Sequence, residues 1–304
     1  MTIAHQGEHA DNTKTQVYVL GLRFHINHDI IRAGPRLGSF KNKEYDMLKL
    51  LIFNLIMIAV IILLLWVVKR FAKGERGQNA ALIVAAVATV LLHYSMLFYH
   101  CFNGTAFEYL QETPNLILPI YPCNLVMWSA IIFGFCKNKR SKFGEFISDY
   151  VFWFGLLSAL VGMFANVDFI MSPTFSDFNI TKSVVAHGTL LFNILLLPLF
   201  GFVRIDMFRN MKNILISIIM MLITGLYCNL IFRVLVSEEA AYDVNSMFLI
   251  HSPFDGVDFL TYPIIALIAI PLYLGLFTVC ELIAREKGDR FYDKIVRYFR
   301  KKRT

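Results

Sequence analysis

From residue 46 onward the chain alternates between long apolar runs and short polar, charge-bearing connections. Each run is about 20 residues long, the length a helix needs to cross a hydrocarbon core of roughly 30 Å. Because lipid offers no hydrogen-bond partners, such runs must satisfy their backbone internally and are predicted to be helices. Seven are expected: 46–68, 79–99, 116–136, 146–170, 183–203, 213–236 and 262–284. The fold class that follows is all-α, a polytopic seven-transmembrane-helix bundle over residues 46–284. It is flanked by an N-terminal tail, 1–45, and a basic tail, 285–304. The N-terminal tail has no apolar core of signal-peptide length, so the first span is expected to act as an uncleaved signal. Between Val17 and Ile26 the tail alternates apolar and polar residues, and it is expected to lie along the membrane interface.

Composition reinforces the class. The 304 residues are 57% hydrophobic and 17% charged, against about 45–50% and about 25% for ordinary soluble domains. The distribution of charge orients the bundle. Lys69, Arg70, Lys73 and Arg76 fill the first connection, Lys137, Lys139, Arg140 and Lys142 the third, and Arg204, Arg209 and Lys212 the fifth. The second and sixth connections carry no Lys or Arg, and the fourth has only Lys182. Positive residues favour the cytoplasmic side. The C-terminus is therefore expected in the cytoplasm and the N-terminus outside, across the plasma membrane if the cell is bacterial. Arg23, Arg32, Arg36, Lys41 and Lys43 in the N-terminal tail pull the other way and are outvoted by the later loops. The net charge of +7 is explained by these topology determinants and by anionic lipid. It calls for no nucleic acid.

Once oriented, the buried polar residues fall into one layer. Asn54, His93 with His100, Cys123 with Asn124, Asn166 with Asp168, His187, and Asn229 with Arg233 all lie in the outer parts of their spans, on six of the seven helices. Intramembrane polar groups are costly and usually face a bundle interior or a water-filled cavity, so the layer implies a shared cavity near the outer face. The inner halves read as Leu, Ile, Val and Phe. Asn54, Asn193 and Asn229 are expected to serve as interhelical hydrogen-bond partners. His93 and His100, seven apart, share a helix face but make no metal-ligand pattern. Cys101, Cys136, Cys228 and Cys280 read as small apolar fillers. With five cysteines and no Cys-x-x-Cys pair, neither a disulfide framework nor a zinc site is expected.

Cys123 and His187 carry the candidate chemistry. Cys123 ends the stretch Leu118-Pro-Ile-Tyr-Pro-Cys123, in which Pro119 and Pro122 disturb the helix and free backbone groups around the sulfur. Broken helix at membrane depth is tolerated where it lines a cavity. A thiol with a histidine at the same depth has the means for nucleophilic catalysis.

Four segments together resemble the YwaF-like integral membrane proteins. They are Leu118–Cys123, the Val185-Ala186-His187 triplet, the turn at Ser172-Pro173-Thr174, and Asn245-Ser-Met-Phe-Leu249 followed by Pro253 and Tyr262-Pro263. That family is similar to the transmembrane protein 164 acyltransferases, which remodel ether phospholipids. The resemblance implies Cys123 and His187 as the catalytic pair, with a phospholipid or lysophospholipid as partner, no metal and no soluble cofactor. The expected activity is acyl transfer through a thioester, or lipid hydrolysis if water replaces the acceptor. Asn124, His100, Arg233 and Asn245 are the expected substrate-binding residues. The competing reading is a lipid- or solute-binding or transport protein without chemistry. A retinal receptor is disfavoured, because Tyr262–Ala284 contains no Lys. Asn103-Gly-Thr and Asn179-Ile-Thr are glycosylation acceptors only in a secretory pathway.

Overall fold

The computed structural model describes residues 14–19, 22–27, 40–166, 169–170, 173–252 and 262–301. Strands β1 (Lys14–Val19) and β2 (Leu22–Asn27) form an antiparallel hairpin in which Val17 pairs with Phe24. The alternation noticed in the tail is the period of a strand. Beyond the hairpin, the regular structure among the described residues is helical.

The long helices are α1 (Phe40–Phe71), α2 (Gly74–His93), α6 (Lys142–Phe164), α7 (Phe178–Leu199) and α8 (Met207–Leu235). Among the described residues these five are long and apolar enough to cross a membrane, and the protein is an integral membrane protein. Between them lie α3 (Ser95–Phe102), α4 (Ala106–Glu112), α5 (Pro122–Phe135) and α9 (Glu238–Val244). Last come α10 (Tyr262–Ala284) and α11 (Phe291–Lys301).

Burial sorts the spans. Two thirds of the α6 window and half of the α7 window are buried, against 11% of α1 and 22% of α8. The central pair α6 and α7 is thus wrapped by α1, α2, α5 and α8. Trp153, Ala159, Met163, Val184, Ile194 and Leu196 are fully enclosed between them. Small residues allow the close approach. A Cβ on Gly155 would press into Ile194 and Val126, so glycine there lets α5, α6 and α7 meet. On α1, by contrast, Ile62, Leu63 and Trp66 face outward, as a lipid-facing helix requires.

Two predicted spans are cut short. The second breaks at Tyr94, whose backbone leaves the helix before α3 begins. The third begins at Pro122 rather than 116. Pro119 and Pro122 each lack an N–H, and the residue before a proline is pushed out of the helical region. Residues 117–121 therefore stay irregular, after a single 3-10 turn at Pro114–Leu116. A 14-residue α5 reaches only about 21 Å, short of a hydrocarbon core of roughly 30 Å.

Candidate functional site

The irregular lead-in to α5 organises one end of the bundle. Within a helix the Ile120 carbonyl would accept from the Asn124 N–H. Here the Asn124 N–H turns to Tyr121 instead, at 3.1 Å. The freed Ile120 oxygen accepts from the Met247 N–H at 2.8 Å and from Ser246 Oγ at 3.0 Å. Asn229 on α8 completes the joint: its Oδ1 accepts from the Ser246 N–H at 2.7 Å, and its Nδ2 donates to the Ser246 carbonyl at 3.3 Å. Met247 and Leu249 pack where Gly225 has no side chain, and Phe248 stacks on Tyr121. Asn245, Met247 and Phe248 all have positive φ, between 42° and 57°, a region unfavourable for residues with a Cβ. The buried Asn245 side chain holds this turn, accepting from the N–H groups of Ile250 and His251 and donating to the His251 carbonyl. Two of the sequence stretches singled out above, Leu118–Cys123 and Asn245–Leu249, are thus bonded to each other.

Cys123 follows immediately, second in α5 and half-buried against the core. The buried Asn124 beside it places Nδ2 3.4 Å from His93 Nε2. An amide nitrogen can only donate, so His93 Nε2 accepts. The His93 ring also bonds the Asn115 backbone, and His187 lies within electrostatic range of it. His187 sits on α7 with Nδ1 2.8 Å from the Ser183 carbonyl. A carbonyl only accepts, so that nitrogen donates. The ring lies flat on Gly162 of α6, where a Cβ would overlap it. Asn166 ties the same place together, donating to the Gly162 carbonyl and to Ser183 Oγ. Chemically, the arrangement offers a thiol at a helix start, an imidazole anchored through Nδ1, and a second imidazole linked through an amide.

The remaining expected residues are placed differently. His93 and His100 lie on two helices joined by a kink at Tyr94. His100 bonds Thr105 Oγ1 at 2.8 Å and stacks on Tyr109. Arg233 is exposed and pairs with Glu238, while Asp168, Ser172 and Pro253 lie outside the described residues. Asn54 donates to the Met163 carbonyl at 2.6 Å and Asn229 to Ser246, so both bridge between elements.

Sequence reasoning missed several members. Tyr150 is 1% exposed, and its hydroxyl lies within electrostatic range of Cys123 and Tyr273. A tyrosine within a Phe- and Trp-rich run gives no signal of its own. Gly162 and Ser183 act only through the histidine they position. The inner halves are also less apolar than expected. Asp149 of α6 is buried and accepts from Asn210 and Asn213 of α8, each at 2.7 Å.

With this geometry described, the comparisons become informative. A model of the TMEM164 family matches residues 41–280. The chain belongs to the TMEM164 family. The match runs from the start of α1 through most of α10 and includes every residue of the site just described. No curated protein and no solved structure matches the chain.

Proposed function

We propose that the protein is an intramembrane Cys/His acyltransferase acting on phospholipid esters near the outer membrane face. In this reading α5 and α10 complete a seven-helix crossing, with the N-terminus outside and the C-terminus in the cytoplasm. The observation that supports the proposal is the anchoring of His187, with Nδ1 2.8 Å from the Ser183 carbonyl and the ring packed on Gly162, together with a half-buried Cys123 at the proline-broken start of α5.

His187 Nε2 takes the Cys123 thiol proton, and the sulfur attacks the ester carbonyl carbon. The negative charge on the carbonyl oxygen develops at the positive end of α5, where Pro122 has no N–H, the Asn124 and Leu125 N–H groups bond the Tyr121 carbonyl, and the Cys123 N–H is the donor nearest the sulfur. The ester C–O bond breaks, the leaving alkoxide takes the proton from His187, and an acyl thioester remains on Cys123. A lysophospholipid hydroxyl then gives its proton to His187 and attacks the thioester. The thiolate leaves and is reprotonated. Water as acceptor makes the same cycle a hydrolysis. Asn124, steered by His93, orients the acceptor beside the sulfur. Asn245 holds the turn that closes over residues 118–122. Arg233 and His100 meet the headgroup phosphate at the rim, where an exposed pair such as Arg233–Glu238 is weak enough to exchange. The cycle uses only side chains and lipid.

The test is labelling of the purified protein in lipid with a thiol-reactive acyl probe. Wild type should label at Cys123, and His187→Ala should label much more slowly. A folded sample in which Cys123 stays unlabelled while Cys101 reacts would overturn the covalent mechanism. That result would favour a lipid-binding or transport protein, for which Cys123→Ala is silent.

A further inference from the structure

At the opposite end of the bundle, the α5–α6 and α7–α8 connections enclose a cleft of about 160 Å³. Four cations line it, Lys139, Arg140, Arg204 and Arg209, against two carboxylates, Glu145 and Asp149. Both carboxylates are already engaged: Glu145 pairs with Arg209 at 2.9 Å, and Asp149 accepts from Asn210 and Asn213. The other three cations have no such partner. Lys139 is 91% buried, being 9% exposed. Its ammonium donates to the carbonyls of Gly134 and Cys136, at 2.9 and 3.1 Å, which close the end of α5. The ammonium also lies over the Phe133 ring, 5.5 Å from its centroid. Burial pulls this lysine below its usual range, and the nearby Cys136 and Glu75 offset it only in part. Among the described residues no carboxylate pairs with Lys139, Arg140 or Arg204.

The cleft is a built structure and not a collapsed surface. Ser148 Oγ shares its one O–H between the Glu145 carbonyl at 3.0 Å and the Phe202 carbonyl at 3.3 Å, which brings the α7–α8 turn over the start of α6. Gly201 sits in that turn with a φ of +71°, and a Cβ there would meet only open space. Guanidinium groups match the oxygens of a phosphate in fork geometry, and a buried ammonium supplies a point charge.

We infer that this cleft binds a phosphate-bearing anion, held by Arg140, Arg204 and the charge of Lys139, at the face opposite Cys123. The shared chemistry is the phosphate. Its source is either the headgroup of an anionic phospholipid in the adjacent leaflet or a soluble phosphate. The site stands independently of the acyl-transfer reading.

The experiment measures binding to the purified full-length protein in neutral detergent, with two probes: a short-chain phosphatidic acid and inorganic phosphate. The comparison variants are Arg140→Gln with Arg204→Gln, and, as a control for diffuse surface charge, Arg70→Gln with Lys73→Gln on the α1–α2 connection. Saturable binding is expected. It should weaken by about fivefold for each arginine removed from the cleft and stay unchanged in the control. Loss with phosphatidic acid alone assigns a lipid headgroup, and loss with both probes assigns a free phosphate. The site is overturned if neither probe saturates, if the cleft variant binds like wild type, or if the control weakens binding equally.

Discussion

At the Cys123 end of the bundle the buried polar groups are neutral and joined by single hydrogen bonds: Asn124 to His93, His187 to Ser183, Asn166 to Ser183. At the Arg204 end they are charged and cross-linked. Asp206 accepts from Arg285 at 2.7 Å and Lys294 at 3.3 Å, and the fully buried Glu281 accepts from the N–H groups of Met207 and Phe291. The charged end ties α8, α10 and α11 together through several bonds per residue, as a structural clamp does. The Cys123 end holds a half-buried thiol and places three positive-φ residues in the turn above it. Loose, strained packing at one end and charged cross-links between helices at the other mark where chemistry and where anchorage belong.

That contrast can be broken from either side. The largest effect is expected at Gly162. Gly162→Ala drives a methyl into the His187 ring, so Cys123 labelling by the acyl probe should fall by about 10²–10⁴, the usual worth of a general base, as in His187→Ala. Unchanged labelling would separate His187 from the thiol's chemistry. Next is Glu281→Ala, which strands the Met207 and Phe291 N–H groups at about 1–3 kcal/mol each. Thermal unfolding in detergent should show a clear drop in Tm, with labelling per folded molecule unchanged. Smaller is Gly225→Ala. Its methyl meets Met247 and Leu249 and should cost about 1–3 kcal/mol of overpacking, lifting the 245–249 turn off Ile120. Labelling should fall more than Tm does, and the reverse would make the turn a purely structural plug.

The smallest effect is a pH dependence. Burial pushes the Asp206 carboxyl up, but the Arg209 N–H, Arg285 and Lys294 outweigh it and hold the carboxyl below its usual range. A depressed carboxylate contributes stability that is fully present above the unfolded pKa of about 3.9. The contribution is lost as pH falls below that value toward the lower native one. Tm should therefore drop on acidification below about pH 4, with a shallower drop in Asp206→Asn. Equal slopes for both proteins would remove Asp206 from the clamp.

The break before α5 was legible because Pro119 and Pro122 fix φ and remove donors whatever surrounds them. Its partner was not. Nothing in the sequence says that the Ile120 carbonyl meets Ser246 and Met247, more than 120 residues away. His93 and His100 show the limit of periodicity. Their spacing does not tell that Tyr94 kinks the helix between them, or that His93 meets Asn124 while His100 meets Thr105. Asp149 was overlooked because one carboxylate near the start of an apolar run looks like a loop residue until Asn210 and Asn213 are seen to reach it from α8.

By itself the sequence determined the membrane class, the helical character of the long runs, the proline-broken approach to Cys123 and the separation of basic from uncharged connections. Each follows from properties a residue carries anywhere: transfer free energy, ring geometry and charge. Only the tertiary structure decided which imidazole faces which amide, which nitrogen of His187 meets the Ser183 carbonyl, and which carboxylates already have partners. Those are set by the approach of helices distant in sequence, through contacts that no local pattern encodes.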